Sequence, residues 1–109
     1  MKIEDVALEL SNIIVELEEV RNKRDKAKYQ VKRLEVEIHR MFKKLRDNRT
    51  LNETQEFAEL HNAKCLQELI AKRMEIKNIH LHYQRDLLQS MFVELRSADK
   101  KEDIRKIEE

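Results

Sequence analysis

Residues 3–45 read IEDVALELSNIIVELEEVRNKRDKAKYQVKRLEVEIHRMFKKL, and the spacing within them decides the fold. Ile3, Val6, Leu10, Ile13, Leu17, Val20, Arg24, Ala27, Val31, Leu34, Ile38, Met41 and Leu45 recur at intervals of three and four without a slip. An α-helix turns once in ~3.6 residues, so this pattern draws one seam along one helical face, the mark of a coiled coil. Every seam position over six heptads is apolar or small except Arg24.

Composition agrees with periodicity. The 109 residues contain no Gly and no Pro, the two residues that most often interrupt helices or shape tight turns. Charged residues make up 41% and aromatics 5%, with Leu, Ile, Glu, Lys and Arg dominant, so one all-α domain is the expectation. Sandwiches, barrels and dinucleotide folds draw on glycine-bearing turns that this chain lacks. Lys and Arg number 23 against 22 Asp and Glu, which steers toward neither nucleic acid nor membrane. A single cysteine, Cys65, excludes an internal disulfide framework and fits a reducing compartment. No apolar run approaches the ~20 residues needed to span a bilayer. The opening Met-Lys-Ile-Glu-Asp is too acidic for a secretory h-region. The expected setting is soluble and cytoplasmic.

Helix 1 is predicted over residues 3–46, with Glu4 and Asp5 suited to its positive end. A break follows at about 47–51, where Asp47, Asn48, Thr50 and Asn52 offer the backbone competing hydrogen bonds. Thr50 with Glu53 reads as a capping box, and Asn52 with Gln55 as an overlapping one. Heptad phase also breaks there, because Leu60 lies 15 residues beyond Leu45 and two heptads would be 14. The reading is a long antiparallel two-helix hairpin over 1–96, with helix 2 over about 52–96. Its competitor is one continuous helix in a parallel dimer. The predicted helix 2 seam is Leu60, Ala63, Gln67, Ile70, Met74, Lys77, Leu81, Gln84, Leu88, Met91 and Leu95. Residues 97–109 read as a frayed charged tail or a short third helix.

Both helices carry apolar residues that one seam cannot use. Leu66, Leu69, Ile76, Tyr83 and Leu87 form a second stripe on helix 2; Leu8, Val15, Tyr29 and Val36 recur at multiples of seven behind the helix 1 seam. Paired stripes of this kind point to protein contacts, most economically two hairpins in a four-helix-bundle homodimer.

Chemistry is hard to find. The four histidines are His39, His61, His80 and His82; the last two lie two apart and so on different helix faces. If paired residues sum to about 99, His39 meets His61, but no third metal ligand joins them. No Gly-rich phosphate loop, Ser-His-Asp arrangement or Glu-x-x-His pair occurs. No catalytic, cofactor or metal residue is therefore assigned, and a non-enzymatic interaction module (adaptor, assembly factor or small inhibitor) is the expectation.

Charge is unevenly placed. Residues 1–20 hold six acids and one base, whereas 21–49 hold 12 bases and four acids. Arg21, Lys23, Lys26, Lys28, Lys32 and Arg33 would form, with Lys72, Arg73 and Lys77 opposite, a positive band able to hold nucleic acid, the alternative function. Tyr29 is the lone aromatic in that band, too little for a base-stacking platform. Arg24, the seam's one charge, either pairs with Glu75 to fix alignment or snorkels out with its stem buried.

Overall fold

The protein is described by a computed structural model, which places residues 2–47 and 51–108. Two helices account for nearly all of it: α1, Ile3–Asp47, and α2, Leu51–Glu108. They pair as a hairpin, and no strand occurs among the described residues. Of the predicted turn, residues 47 and 51 belong to the two helices, while 48–50, with the Thr50 cap, lie outside the described residues, as does the Asn52 side chain.

The start of α1 shows how local sequence sets a boundary. The Asp5 carboxylate accepts a hydrogen bond from the Lys2 backbone N–H at 3.2 Å, while the Lys2 carbonyl accepts from the N–H groups of Asp5 and Val6. This is the acidic half of a capping box, and it places negative charge at the positive end of the helix.

The α1 seam is as predicted. All thirteen seam residues, from Ile3 to Leu45, are buried or half-buried, with Val6, Leu17, Val20, Ala27 and Leu45 fully so. Of the remaining described α1 residues only Gln30 and Glu37 are partly covered.

The chain divides into two compact units, Val20–Ile76 and a second made of Met1–Glu19 with Lys77–Glu109. In the first, cross-helix contacts fix direction and register. Lys28 meets Glu75, Glu35 meets Lys64, and the Phe42 and Phe57 rings lie 6.5 Å apart. Partner numbers fall along α2 as they rise along α1, so the pairing is antiparallel. In the second unit, Ile3, Val6, Leu10, Ile13 and Leu17 supply the α1 side of the seam. Leu81, Arg85, Leu88, Phe92 and Leu95 supply the α2 side.

The α2 seam differs from the prediction in every second position. Leu60, Gln67, Met74, Leu81, Leu88 and Leu95 are on it as expected. Between them lie Phe57, Lys64, Ala71, Asn78, Arg85 and Phe92, whereas Lys77, Gln84 and Met91 are exposed. Ala63 and Ile70 sit half-buried at its edge. Both choices share one heptad position, and hydrophobicity favours the wrong one. Rolling α2 to bury the predicted set would carry Phe57 in one unit and Phe92 in the other away from the seam. Aromatic rings contribute a large share of buried apolar area, which offsets the polar residues drawn in with them.

The predicted end near residue 96 is also corrected, since α2 continues to Glu108. Leu95 is the last seam residue of α2; Arg96 to Glu102 are exposed, and Ile107 is 84% exposed. With no Gly or Pro to stop it, the helix outruns its partner.

Candidate functional site

Surface chemistry follows from which residues the seam takes. On α2 it takes Lys64, Gln67, Asn78 and Arg85, and it leaves Leu66, Leu69, Ile76, Ile79, Tyr83 and Leu87 exposed. Leu69, Ile76 and Tyr83 sit seven apart, directly behind the seam, with the others flanking them. On α1, Leu8, Val15, Tyr29 and Val36 are likewise exposed. All nine residues singled out from sequence as interface candidates are thus on the surface. Ile14, Phe42, Ile79, Met91 and Val93 are exposed as well and were missed. Ile79 was findable, because it completes a three-four interval between Ile76 and Tyr83.

The seam of the Lys77–Glu109 unit carries a polar cost. Among the described residues, Asn78 Oδ1 and Arg85 Nε are buried without a hydrogen-bond partner, although Arg85 Nη2 reaches Asp86 at 3.3 Å. A buried polar atom left unpaired costs about 1–3 kcal/mol.

In the Val20–Ile76 unit the proposed Arg24–Glu75 pair is replaced by another. Glu75 Oε1 bonds Lys28 Nζ at 2.8 Å, and Arg24 Nε turns outward to Asp25 at 3.2 Å, its stem still partly covered. The Lys28 hydrogen bond, then its charge, hold the Glu75 carboxyl below its ordinary 4.5; partial desolvation opposes them, and Arg24 adds a smaller pull in the same direction. Lys28 reaches the carboxylate from the flank of the seam, whereas the Arg24 guanidinium is turned to Asp25 on its own helix.

We compared the chain with protein-family models, curated proteins and solved structures. It matches none of them.

The basic candidates Arg21, Lys23, Lys26, Lys28, Lys32 and Arg33 are all exposed, but they do not form one strip. Lys26, Lys32 and Arg33 lie on the back of α1, Arg21 and Lys28 on one flank and Lys23 on the other. Next to them an open groove of about 530 Å³ is lined by Lys28, Lys32 and Lys72 and, in equal number, by Glu35, Glu68 and Glu75. The positive band is therefore strongest on the outward surface, not in the groove. A similar groove of about 540 Å³ sets Arg40 and Lys44 across from Glu56 and Glu59, so basic and acidic side chains again share its lining.

His39 and His61 line one shallow groove with Glu35, Phe42, Phe57 and Lys64, and His61 stands edge-on to Phe57 at 4.7 Å. Among the described residues no group of three His, Cys, Asp or Glu side chains is placed to hold a metal ion. None of their helices is long and apolar enough to cross a membrane.

Proposed function

We propose that this chain is a non-enzymatic coiled-coil module that self-associates and binds another protein through its exposed apolar stripes. One observation carries the reading: α2 spends half-buried positions toward α1 on Lys64, Gln67, Asn78 and Arg85 while leaving three leucines, two isoleucines and a tyrosine exposed. A helix selected only to close the hairpin would have the opposite arrangement. Contiguous exposed apolar surface of this kind is used in contacts with other chains. Adaptor, assembly-factor and inhibitor roles all use such a surface, and a cytoplasmic setting with two hairpins in one bundle is consistent with it.

The test is a variant with Leu69, Ile76 and Tyr83 changed to Asp, Asp and Ser. Its mass by light scattering and its captured proteins from the native source are compared with those of the wild type. The reading expects unchanged helicity and melting with loss of a captured partner or of self-association. Wild-type behaviour in both measurements would refute it.

A second reading, nucleic-acid association, rests on the Val20–Ile76 unit, where 15 Lys and Arg outnumber nine Asp and Glu. It predicts a salt-sensitive shift of DNA or RNA that Lys23, Lys26 and Lys32 changed to Glu abolish, with Lys28 left in place to hold Glu75. No shift at low salt rejects it.

A further inference from the structure

We infer that the back of α1 between Asp25 and Arg46 is a docking face for an acidic amphipathic helix of another protein. The inference rests on the protein-binding reading proposed above and names the chemistry of one partner. The strip lies on one helix and wholly within the Val20–Ile76 unit. Tyr29, Val36 and Lys43 form a row seven apart directly behind the seam, and all three are exposed. Lys26, Arg33 and Arg40 run along one edge of that row, Lys32 and Arg46 along the other, and all five are exposed. Six cations thus surround two apolar side chains over roughly 30 Å of helix.

Little on the strip opposes this charge. Asp25 lies on it, and Arg24 already holds its carboxylate at 3.2 Å. Glu37 lies beside it at 4.0 Å from Arg33 Nε, an exposed and loose pair that a better acceptor displaces at slight cost. Because both edges are positive, the match does not depend on direction. An acid on either flank of an incoming helix meets Lys or Arg whether that helix runs parallel or antiparallel. A second copy presenting this same face fails in both directions, since cations then meet cations along each edge. The partner this strip fits is therefore of opposite charge.

A helix fits the strip better than a nucleic-acid duplex does. Over ~30 Å a duplex presents about 18 phosphate charges, roughly three for each cation here. A helix with one acid on each flank per heptad presents about six in the same length. Tyr29 and Val36 would gain nothing against phosphate and sugar, but they pack as knobs against the apolar row of a helix. Residues 1–20, with six acids and one base, add no attraction for a polyanion longer than the strip. With two apolar side chains at its centre the contact relies on its charges, so it weakens with salt.

Fluorescence anisotropy on the full chain tests this with four labelled probes. They are a helical peptide of about 28 residues with Leu in its seam and Glu on both flanks, the same peptide with Gln for Glu, polyglutamate, and a DNA duplex of about 20 base pairs. The Glu peptide should bind about tenfold more tightly than each of the others. Lys26→Glu with Lys43→Glu should weaken the Glu peptide about tenfold and move the Gln peptide less than about threefold, while Val36→Asp weakens both. All three positions are exposed, and thermal melting of each variant confirms that the fold is kept. A Gln peptide or polyglutamate that binds as well as the Glu peptide, or a duplex that binds better, would overturn the acidic helix as occupant. So would a wild-type dimer that K26E/K43E dissociates in sedimentation, because an acidic stretch of a second copy would then cover the strip. Glu-peptide binding that survives K26E/K43E, or no binding of any probe, would overturn the strip as a site. The protein-binding reading would still be decided separately, by the variant at Leu69, Ile76 and Tyr83.

Discussion

The two helices of this hairpin present unequal seams to each other. α1 offers apolar or small residues at every contact position except Arg24, and α2 offers Lys64, Gln67, Asn78 and Arg85 among its leucines. The difference separates two tasks that one helix face usually combines. α1 supplies most of the apolar burial that holds the pair together. α2 closes the hairpin less well, and its exposed face holds much of what it could have buried. Stability is therefore concentrated on α1, and the surface open to further association is richest on α2.

The sharpest way to break this contrast is to truncate one residue on each side. Leu17 is 6% exposed in the α1 seam and Ile76 is 58% exposed on α2. Leu17→Ala should cost about 2–3 kcal/mol, near the low end for core truncations because a two-helix seam can partly collapse. Ile76→Ala should stay within about 0.5 kcal/mol. Thermal or urea unfolding followed by circular dichroism reads both. Comparable losses would mean that the α2 back face is already covered within the chain.

Next in size is the polar side of the seam. Asn78→Leu removes a buried carbonyl oxygen that has no partner and adds apolar contact, so stability should rise by about 1 kcal/mol, roughly 4–8 °C in melting temperature. A loss instead would show that Asn78 fixes alignment at the expense of stability. Arg24→Leu applies the same test to the α1 side, with a smaller expected gain. Arg24 keeps its charge near the surface through Asp25, with 24% of the side chain exposed. Its stem is already packed, so only the desolvation of one flank is recovered.

The same contrast explains what could be read in advance. All thirteen α1 seam positions follow from spacing alone, because the apolar residues there admit a single phase. On α2 two phases share Leu60, Gln67, Met74, Leu81, Leu88 and Leu95, and they differ in whether Ile70 and Met91 or Phe57 and Phe92 are brought in. Choosing between them depends on what α1 presents, which no pattern on α2 contains. The exposed stripes were legible because residues seven apart share a face, and Leu66, Leu69, Ile76, Tyr83 and Leu87 belong to neither of the two seam phases. The replacement of Arg24 by Lys28 as the partner of Glu75 was not, since it turns on side-chain reach within one helical turn. A pairing sum of about 99 holds for Glu35 with Lys64 and for Phe42 with Phe57, while Lys28 and Glu75 reach diagonally across it.

That diagonal pair gives the smallest and most specific effect. Lys28 and Glu75 are each about half exposed, so solvent screens them and their contribution is slight. Its pH dependence is nonetheless fixed in sign. The Lys28 hydrogen bond and charge hold the folded pKa of Glu75 below 4.5, so the carboxylate is favoured by folding. The stabilisation is complete above the unfolded value and is lost as pH falls through the depressed folded one. Lys28→Met should therefore melt slightly below wild type at pH 7, with the gap closing toward pH 3 and shrinking in high salt. A gap that persists at pH 3 would assign the effect to the packing of the Lys28 stem against α2. In that case the cross-helix charges would add nothing to a hairpin held by the α1 seam.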